Sequence, residues 1–214
     1  MKTYDVTLVA AVCVAACLSS AGGGTMKDGP ATAFVFGDNV EDEGFGFGYQ
    51  ATYEFHRNFS IEFSGLWHED ESTKIGRAIP GLTAISKVDL DVISLALTGR
   101  ASLEPNPSTL VYGGAGFGYY IIEAKNADIH EGLSGTGIGF AEVDGDKEFG
   151  AHIVIGTEVV LTHNWEVFAE FRQVFLNSGF TVRFSPDSAS PVDDQRDSLS
   201  YDHRMLRIGL NYRF

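Results

Sequence analysis

Residues 44–55, Gly-Phe-Gly-Phe-Gly-Tyr-Gln-Ala-Thr-Tyr-Glu-Phe, alternate without a fault. Phe45, Phe47, Tyr49, Ala51, Tyr53 and Phe55 take one face, and Gly44, Gly46, Gly48, Gln50, Thr52 and Glu54 take the other. Period two over that length predicts a β-strand, because successive side chains of an extended chain point to opposite sides. Outward from it, His56-Arg57-Asn58 makes a tight connection. Phe59, Ile61, Phe63 and Trp67 then alternate with Ser60, Glu62, Ser64 and His68, which completes a hairpin. Strands are likewise expected at 88–102 and 109–123 about Glu104-Pro105-Asn106-Pro107, and at 149–161 and 165–176 about Thr162-His163-Asn164. A last strand at 202–214 and a shorter first one at Thr32–Gly37 bring the count to eight. Phase breaks near Val92-Ile93 and Gln173-Val174 predict a bulge in each of those strands.

The connections alternate in length. Those at 56–58, 104–107 and 162–164 are short, whereas 69–86, 124–147 and 178–201 are long, polar and rich in Gly, Ser and Asp. One end of the molecule therefore carries turns and the other carries loops.

Composition narrows the class. The chain has 214 residues, 44% of them hydrophobic, enough for one sizeable domain. Its 15 Lys and Arg against 29 Asp and Glu leave a charge of -14, which repels polyphosphate and excludes nucleic acid as a partner of the whole surface. Beyond the N-terminus no apolar run reaches the roughly 18 residues of a spanning helix, so a polytopic helical membrane protein is excluded. At the N-terminus, Val6–Leu18 has the length of a signal-peptide core, and Ser19 and Ala21 suit cleavage after Ala21. A buried first helix is the alternative, but Gly22–Gly24 would end it at once. A second alternative is a lipobox, Val14-Ala15-Ala16-Cys17, with Cys17 lipidated. Cleavage after Ala21 removes Cys13 and Cys17, leaving no thiol and no disulfide. The expected division is a signal peptide at 1–21, a short segment at 22–30 and one barrel at 31–214.

The inward face decides what kind of barrel this is. An eight-stranded barrel has an interior that ordinary side chains just fill, and it cannot hold Phe45, Phe47, Tyr49, Tyr53, Phe63, Trp67 and Phe117 together. The bulky residues must face outward, which sets aside a soluble lipocalin-like barrel. Tyr53, Phe55, Phe59, Trp67, Trp165, Tyr212 and Phe214 would then form the interfacial girdles of a transmembrane barrel. Closure leaves no unpaired backbone edge in hydrocarbon.

These features, with the strand Tyr112-Gly113-Gly114-Ala115-Gly116-Phe117-Gly118-Tyr119 and the terminal Asn211-Tyr212-Arg213-Phe214, resemble the small outer-membrane β-barrels of the OmpA, OmpX and OmpW kind. The resemblance covers residues 31–214. It implies an all-β, eight-stranded antiparallel up-and-down barrel in the outer membrane of a Gram-negative bacterium. Its implied partners are membrane lipid, lipopolysaccharide and the barrel-assembly machinery, which reads a final strand patterned like Ile208, Leu210, Tyr212 and Phe214. A monomer is expected.

The fold hosts structural barrels, adhesins, channels and enzymes, so function must come from the site. Glu54, Glu62, Glu158, Glu166 and Glu170 fall on the inner face with Arg100, Arg172, Arg207, Arg213 and His152. Buried charges must be paired, so an ion-pair network that closes the bore is expected. Solvation of some of these groups at the rims is the alternative. The expected role is structural or surface-interacting, through long acidic loops. The OmpW comparison suggests instead a narrow conduit for small hydrophobic molecules or ions, for which Leu66, Leu110, Tyr112, Tyr120, Ile122, Val154, Val160 and Phe168 supply apolar inward positions. Lipid A deacylases and palmitoyl transferases share the architecture. However, His56, His68, His130, His152, His163 and His203 sit in no deacylase signature; His56 and His163 fall in short turns and His68 and His203 flank long loops, where they read as rim or surface residues, and no enzyme is expected. Acid gathers at Asp38 and Glu41–Glu43, at Glu69–Glu71, at Asp144 and Asp146, and at Asp193, Asp194 and Asp197, as charge for solubility or for divalent cations shared with lipopolysaccharide phosphates. No catalytic, cofactor-binding or metal-binding residue is assigned, and no cofactor is expected.

Overall fold

The computed structural model describes residues 24–37, 40–72, 88–127, 138–145, 147–186, 195–200 and 202–214. The expected signal segment 1–21 with Cys13 and Cys17 lies outside them, as do His130, Asp38, Asp146, Asp193 and Asp194. The strands are β1 Thr25–Gly37, β2 Val40–His56, β3 Phe59–Ser72, β4 Val88–Asn106, β5 Thr109–Ala127 and β6 Ile138–Gly145. They continue as β7 Lys147–Val160, β8 Trp165–Phe175, β9 Asn177–Pro186, β10 Gln195–Ser200 and β11 His203–Arg213. Eight of them close a barrel in the order β1-β11-β8-β7-β5-β4-β3-β2. Every neighbouring pair is antiparallel.

Both ends of the chain's barrel portion lie with the short turns. Lys27 is opposite Arg213, and Thr25 is opposite Glu54. The Phe214 N–H donates to Met26 O at 3.0 Å and the Arg213 N–H to Asn164 O at 2.8 Å, which ties the last strand to the first and to the β7–β8 turn. Closure satisfies the ladder on every side, the condition a sheet must meet in hydrocarbon.

The wall sorts side chains by phase. Phe117, Phe149 and Ile155 point outward at 60%, 74% and 61% exposure, while Phe168, Glu62 and Arg207 on the other phase are at 1% or less. A belt of this kind would be insoluble in water and is what lipid tails solvate. Trp165, Tyr212 and Phe214 cluster on the outside near the turns, with ring centroids 5.0 and 5.1 Å apart.

Four expectations need correction. β1 begins at Thr25 rather than Thr32; Lys27, Asp28, Gly29 and Pro30 look like a break, yet their backbone continues the ladder with β2 and β11. The bulges expected at Val92-Ile93 and Gln173-Val174 do not occur, since pairing runs through both without a shift. Val92 is buried inside while Ile93 lies on the outer wall, and Gln173 is a polar outward residue satisfied locally, donating to His203 O at 3.3 Å and accepting from Arg204 Nε at 3.1 Å. Glu41–Glu43 belong to β2, not to a loop, because Gly37 pairs directly with Val40, and Glu69–Glu71 likewise belong to β3, paired in register with Asp89–Asp91 of β4. Within the stretches expected as loops, β6, β9 and β10 form a separate three-stranded sheet with β9 in the middle.

Candidate functional site

The inner wall is built from small residues facing large ones. A Cβ on Gly156 would lie 2.5 Å from the Tyr112 ring, and one on Gly209 would lie 2.6 Å from Cζ of Phe168. These glycines are the space into which Tyr112 and Phe168 fold, so a narrow barrel accepts two inward aromatic rings.

Two ion-pair clusters occupy the middle and the turn-side end of the bore. In the central one, Glu62 from β3 and Glu170 from β8 meet Arg100 from β4, Arg172 from β8 and Arg207 from β11. Arg172 Nη2 lies 2.8 Å from Glu62 and 3.0 Å from Glu170, and Arg207 Nη1 lies 3.2 and 2.7 Å from the same carboxylates. Arg100 contacts Glu62 and is 2.7 Å from Glu170. Tyr112 donates its hydroxyl to Glu170 at 3.1 Å, and Arg100 stands 4.2 Å over the Tyr112 ring. Arg207 also donates to Gln50 at 2.8 Å, whose amide donates to Asn211 at 3.1 Å.

Nearer the turns, Lys27 Nζ reaches Glu54, Glu158 and Glu166 at 2.6, 2.7 and 2.8 Å. Arg213 joins from β11, 2.9 Å from Glu166 and 3.7 Å from Glu54. Glu158 bridges the clusters, with its second oxygen 3.3 Å from Arg100. The two clusters hold five carboxylates, Glu54, Glu62, Glu158, Glu166 and Glu170, and five cations, Lys27, Arg100, Arg172, Arg207 and Arg213. The charges balance, as burial demands.

Of the residues expected in this network, Glu62, Glu158, Glu170, Arg172 and Arg207 come together deep in the bore, and Glu54 sits at its turn-side margin with its side chain 22% exposed. Lys27 was not anticipated. Its signal was the inward phase Ala31, Ala33, Val35, which continues backward through Gly29 to Lys27 once Pro30 is read as an outward position. Ile208 and Phe214 face outward on the last strand, 42% and 71% exposed, and Tyr212 packs against Trp165 and Phe214; Leu210 is half-buried between them in sequence.

The loop-side half of the interior is different in chemistry. Leu66, Leu90, Val92, Tyr120, Ile122 and Val174 line it, all at 6% exposure or less. Tyr112, Val154 and Phe168, also anticipated as inward apolar residues, are buried lower down, whereas Leu110 is half-buried and Val160 is 37% exposed at the turn-side rim. Three histidines share the bore. His152 holds Thr98 Oγ1 at 2.9 Å, and His68 and His203 face one another with ring centroids 5.5 Å apart. The expectation that His68 and His203 are rim or surface groups is wrong. Both are fully buried, because they continue the inward phases of Leu66 and Met205 past the point where the adjoining sequence turns polar. His56 and His163 are exposed at the turns. Among the described residues, no group of three or more His, Cys, Asp or Glu is arranged to hold a metal ion.

Comparison with known proteins gives a consistent picture. The model of the outer membrane protein beta-barrel domain family matches residues 6–214. The chain is similar in fold to the outer membrane protein OprG from Pseudomonas aeruginosa, with a TM-score of 0.67 at 16% identity over 89% of this chain and 96% of that one. A major outer membrane protein from Thermus thermophilus superposes with a TM-score of 0.57 at 15% identity, over 89% and 99% of the two chains. Neisserial surface protein A gives 0.54 at 12% identity, over 90% and 98%. No curated protein matches the chain in sequence.

Proposed function

The chain belongs to the outer membrane protein beta-barrel domain family, and from that premise we propose that it is a plugged outer-membrane barrel with a structural or surface-interaction role rather than an open pore. The observation that supports this is the central cluster, in which Glu62 and Glu170 bind arginines from β4, β8 and β11 and so link opposite walls. Water entering that layer would have to separate charges already neutralised by direct contact. In this reading the partners are outer-membrane lipid and lipopolysaccharide, the barrel-assembly machinery during insertion, and surface ligands reached by the loop-side end; the barrel works as a monomer and carries out no catalysis.

The test is conductance of the refolded protein in a planar lipid bilayer, with folding verified on the same sample and detergent alone as control. Silence is expected, and unitary steps from folded protein would overturn the plug. Replacing Arg172 or Arg207 by Ala should lower thermal stability or produce such steps. A second reading, an OmpW-like narrow conduit for small hydrophobic molecules, is favoured by the apolar loop-side half of the interior around Leu66, Val92, Ile122 and Val174. Uptake of a hydrophobic dye by vesicles that contain the protein, above that of empty vesicles, would select it.

A further inference from the structure

On the outer wall, the geometry points to a lipid site: Asp28, with Tyr49, Tyr212 and Trp165 around it, holds the headgroup of a phospholipid that carries a primary ammonium, of the phosphatidylethanolamine type, in the turn-side leaflet. This rests on the reading of membrane lipid as a partner and names the headgroup that the wall selects. Asp28 lies on the outward phase of β1, between the buried, inward Lys27 and Gly29, and is itself half-buried. Its surroundings there are apolar or aromatic. Ala51 stands opposite it on β2 and Tyr212 opposite it on β11, with Trp165 of β8 opposite Tyr212 in turn. Tyr49 donates its hydroxyl to the carboxylate, which satisfies one lone pair but leaves the charge uncompensated. The cations next to it in the chain and on the ladder, Lys27 and Arg213, turn into the bore. There Lys27 is held by Glu54, Glu158 and Glu166, and Arg213 by Glu166. Among the described residues no cation pairs with Asp28. A carboxylate withdrawn from water needs a counter-charge. On a wall that faces lipid, the headgroups are what can supply it.

The constellation selects the kind of headgroup. Trp165 and Tyr212 belong to the turn-side aromatic cluster, the level at which headgroups begin. A primary ammonium brings N–H donors to the remaining lone pairs of the carboxylate, as a charge-assisted hydrogen bond. Its charge is also attracted by the faces of Tyr and Trp rings. The two rings are 5.0 Å apart with their planes at 71°, an edge-to-face contact that covers only one ring face. A quaternary ammonium suits the rings but has no N–H for Asp28, and an anionic headgroup is repelled by it. The expected order of preference is therefore phosphatidylethanolamine, then phosphatidylcholine, then phosphatidylglycerol.

The experiment mixes the refolded protein in detergent with equal amounts of these three lipids and reads the retained lipid by native mass spectrometry. One equivalent of phosphatidylethanolamine should be retained in preference to the other two. Asp28→Asn should lower that retention by an order of magnitude or more, while Glu104→Gln, on the exposed turns, leaves it unchanged. Asp28→Asn removes no contact in the bore, and gel migration verifies its folding on the same sample. Solid-state NMR of the unaltered protein in phosphatidylethanolamine bilayers gives an independent reading, a through-space contact between the 15N headgroup ammonium and an aspartate 13C carboxylate. Equal retention of all three lipids would keep lipid as a partner and overturn the site. Selective retention that survives Asp28→Asn, retention that requires added Ca2+, or no ammonium–carboxylate contact would overturn it as well. None of these results bears on conductance, so the lipid site and the plug stand or fall separately.

Discussion

Glu170 is the residue with most to lose. Its two oxygens serve Arg100, Arg172 and Arg207 at 2.7 to 3.0 Å and accept the Tyr112 hydroxyl at 3.1 Å. Glu170→Gln would leave three guanidiniums facing Glu62 and the bridging oxygen of Glu158. Removing one partner of a buried pair costs about 3–5 kcal/mol, because the remaining charge stays desolvated. The temperature at which the folded, fast-migrating species disappears on cold-loaded gels should therefore fall sharply. Glu104→Gln is the control: Glu104 pairs with Arg57 at 3.2 Å on the exposed turns, where an ion pair contributes at most about 1 kcal/mol. Equal effects from the two substitutions would contradict the cluster. At this scale the sequence was legible where a charge interrupted a clear alternation, as with Glu62 between Phe63 and Ile61. It failed for Lys27, where the Asp28-Gly29-Pro30 that follows it hid the phase. It also failed for His68 and His203, since a histidine beside acidic residues looks solvated until the strand is known to continue.

β11 shows how one strand can carry separate kinds of information on its two faces. Inward, His203, Met205, Arg207 and Asn211 are buried, and Arg207 joins the central cluster. Outward, Ile208, Leu210 and Tyr212 lead to Phe214, which is 71% exposed and packs on Tyr212 alone among the described rings. Phe214→Ser keeps the backbone bond to Met26 O and removes little buried surface. The refolded variant should thus melt close to the unaltered protein, whereas its amount in the outer membrane of cells should drop if the assembly machinery reads this residue. Matched losses in both settings would mean that Phe214 matters for stability and not for recognition. Element positions were the most legible feature of the chain, because seven of the eight barrel strands keep period two over most of their length. The exceptions have physical causes. Pro30 is tolerated in β1 although it removes one backbone donor. β6 and β10 lie in stretches rich in Gly, Ser and Asp, where no clear alternation marks a strand, whereas β9 does alternate, with Phe180, Val182 and Phe184 against Thr181, Arg183 and Ser185, but over too short a run within a long polar connection to stand out.

The molecule divides into a barrel that closes on itself and a three-stranded sheet that the barrel does not need for closure. Each of the eight ladders is complete without β6, β9 or β10. β8 and β11 are also held together beyond their last pair, by the Leu176 N–H donating to Asp202 at 3.0 Å. Replacing residues 178–200 and 128–145 by short turns, with Leu176 and Asp202 kept, should leave a protein that still folds and still migrates as a compact species. In the same bilayer assay this shortened barrel distinguishes two places for the seal. If the ion pairs among β1, β2, β3, β4, β7, β8 and β11 close the bore, it stays silent, because none of the residues in either cluster has been removed. If the excised segments close it, unitary steps emerge only after the excision, and the plug must be assigned to the loop-side end instead. A shortened protein that fails to fold would refute the division itself, since it would mean that the barrel cannot close without the sheet.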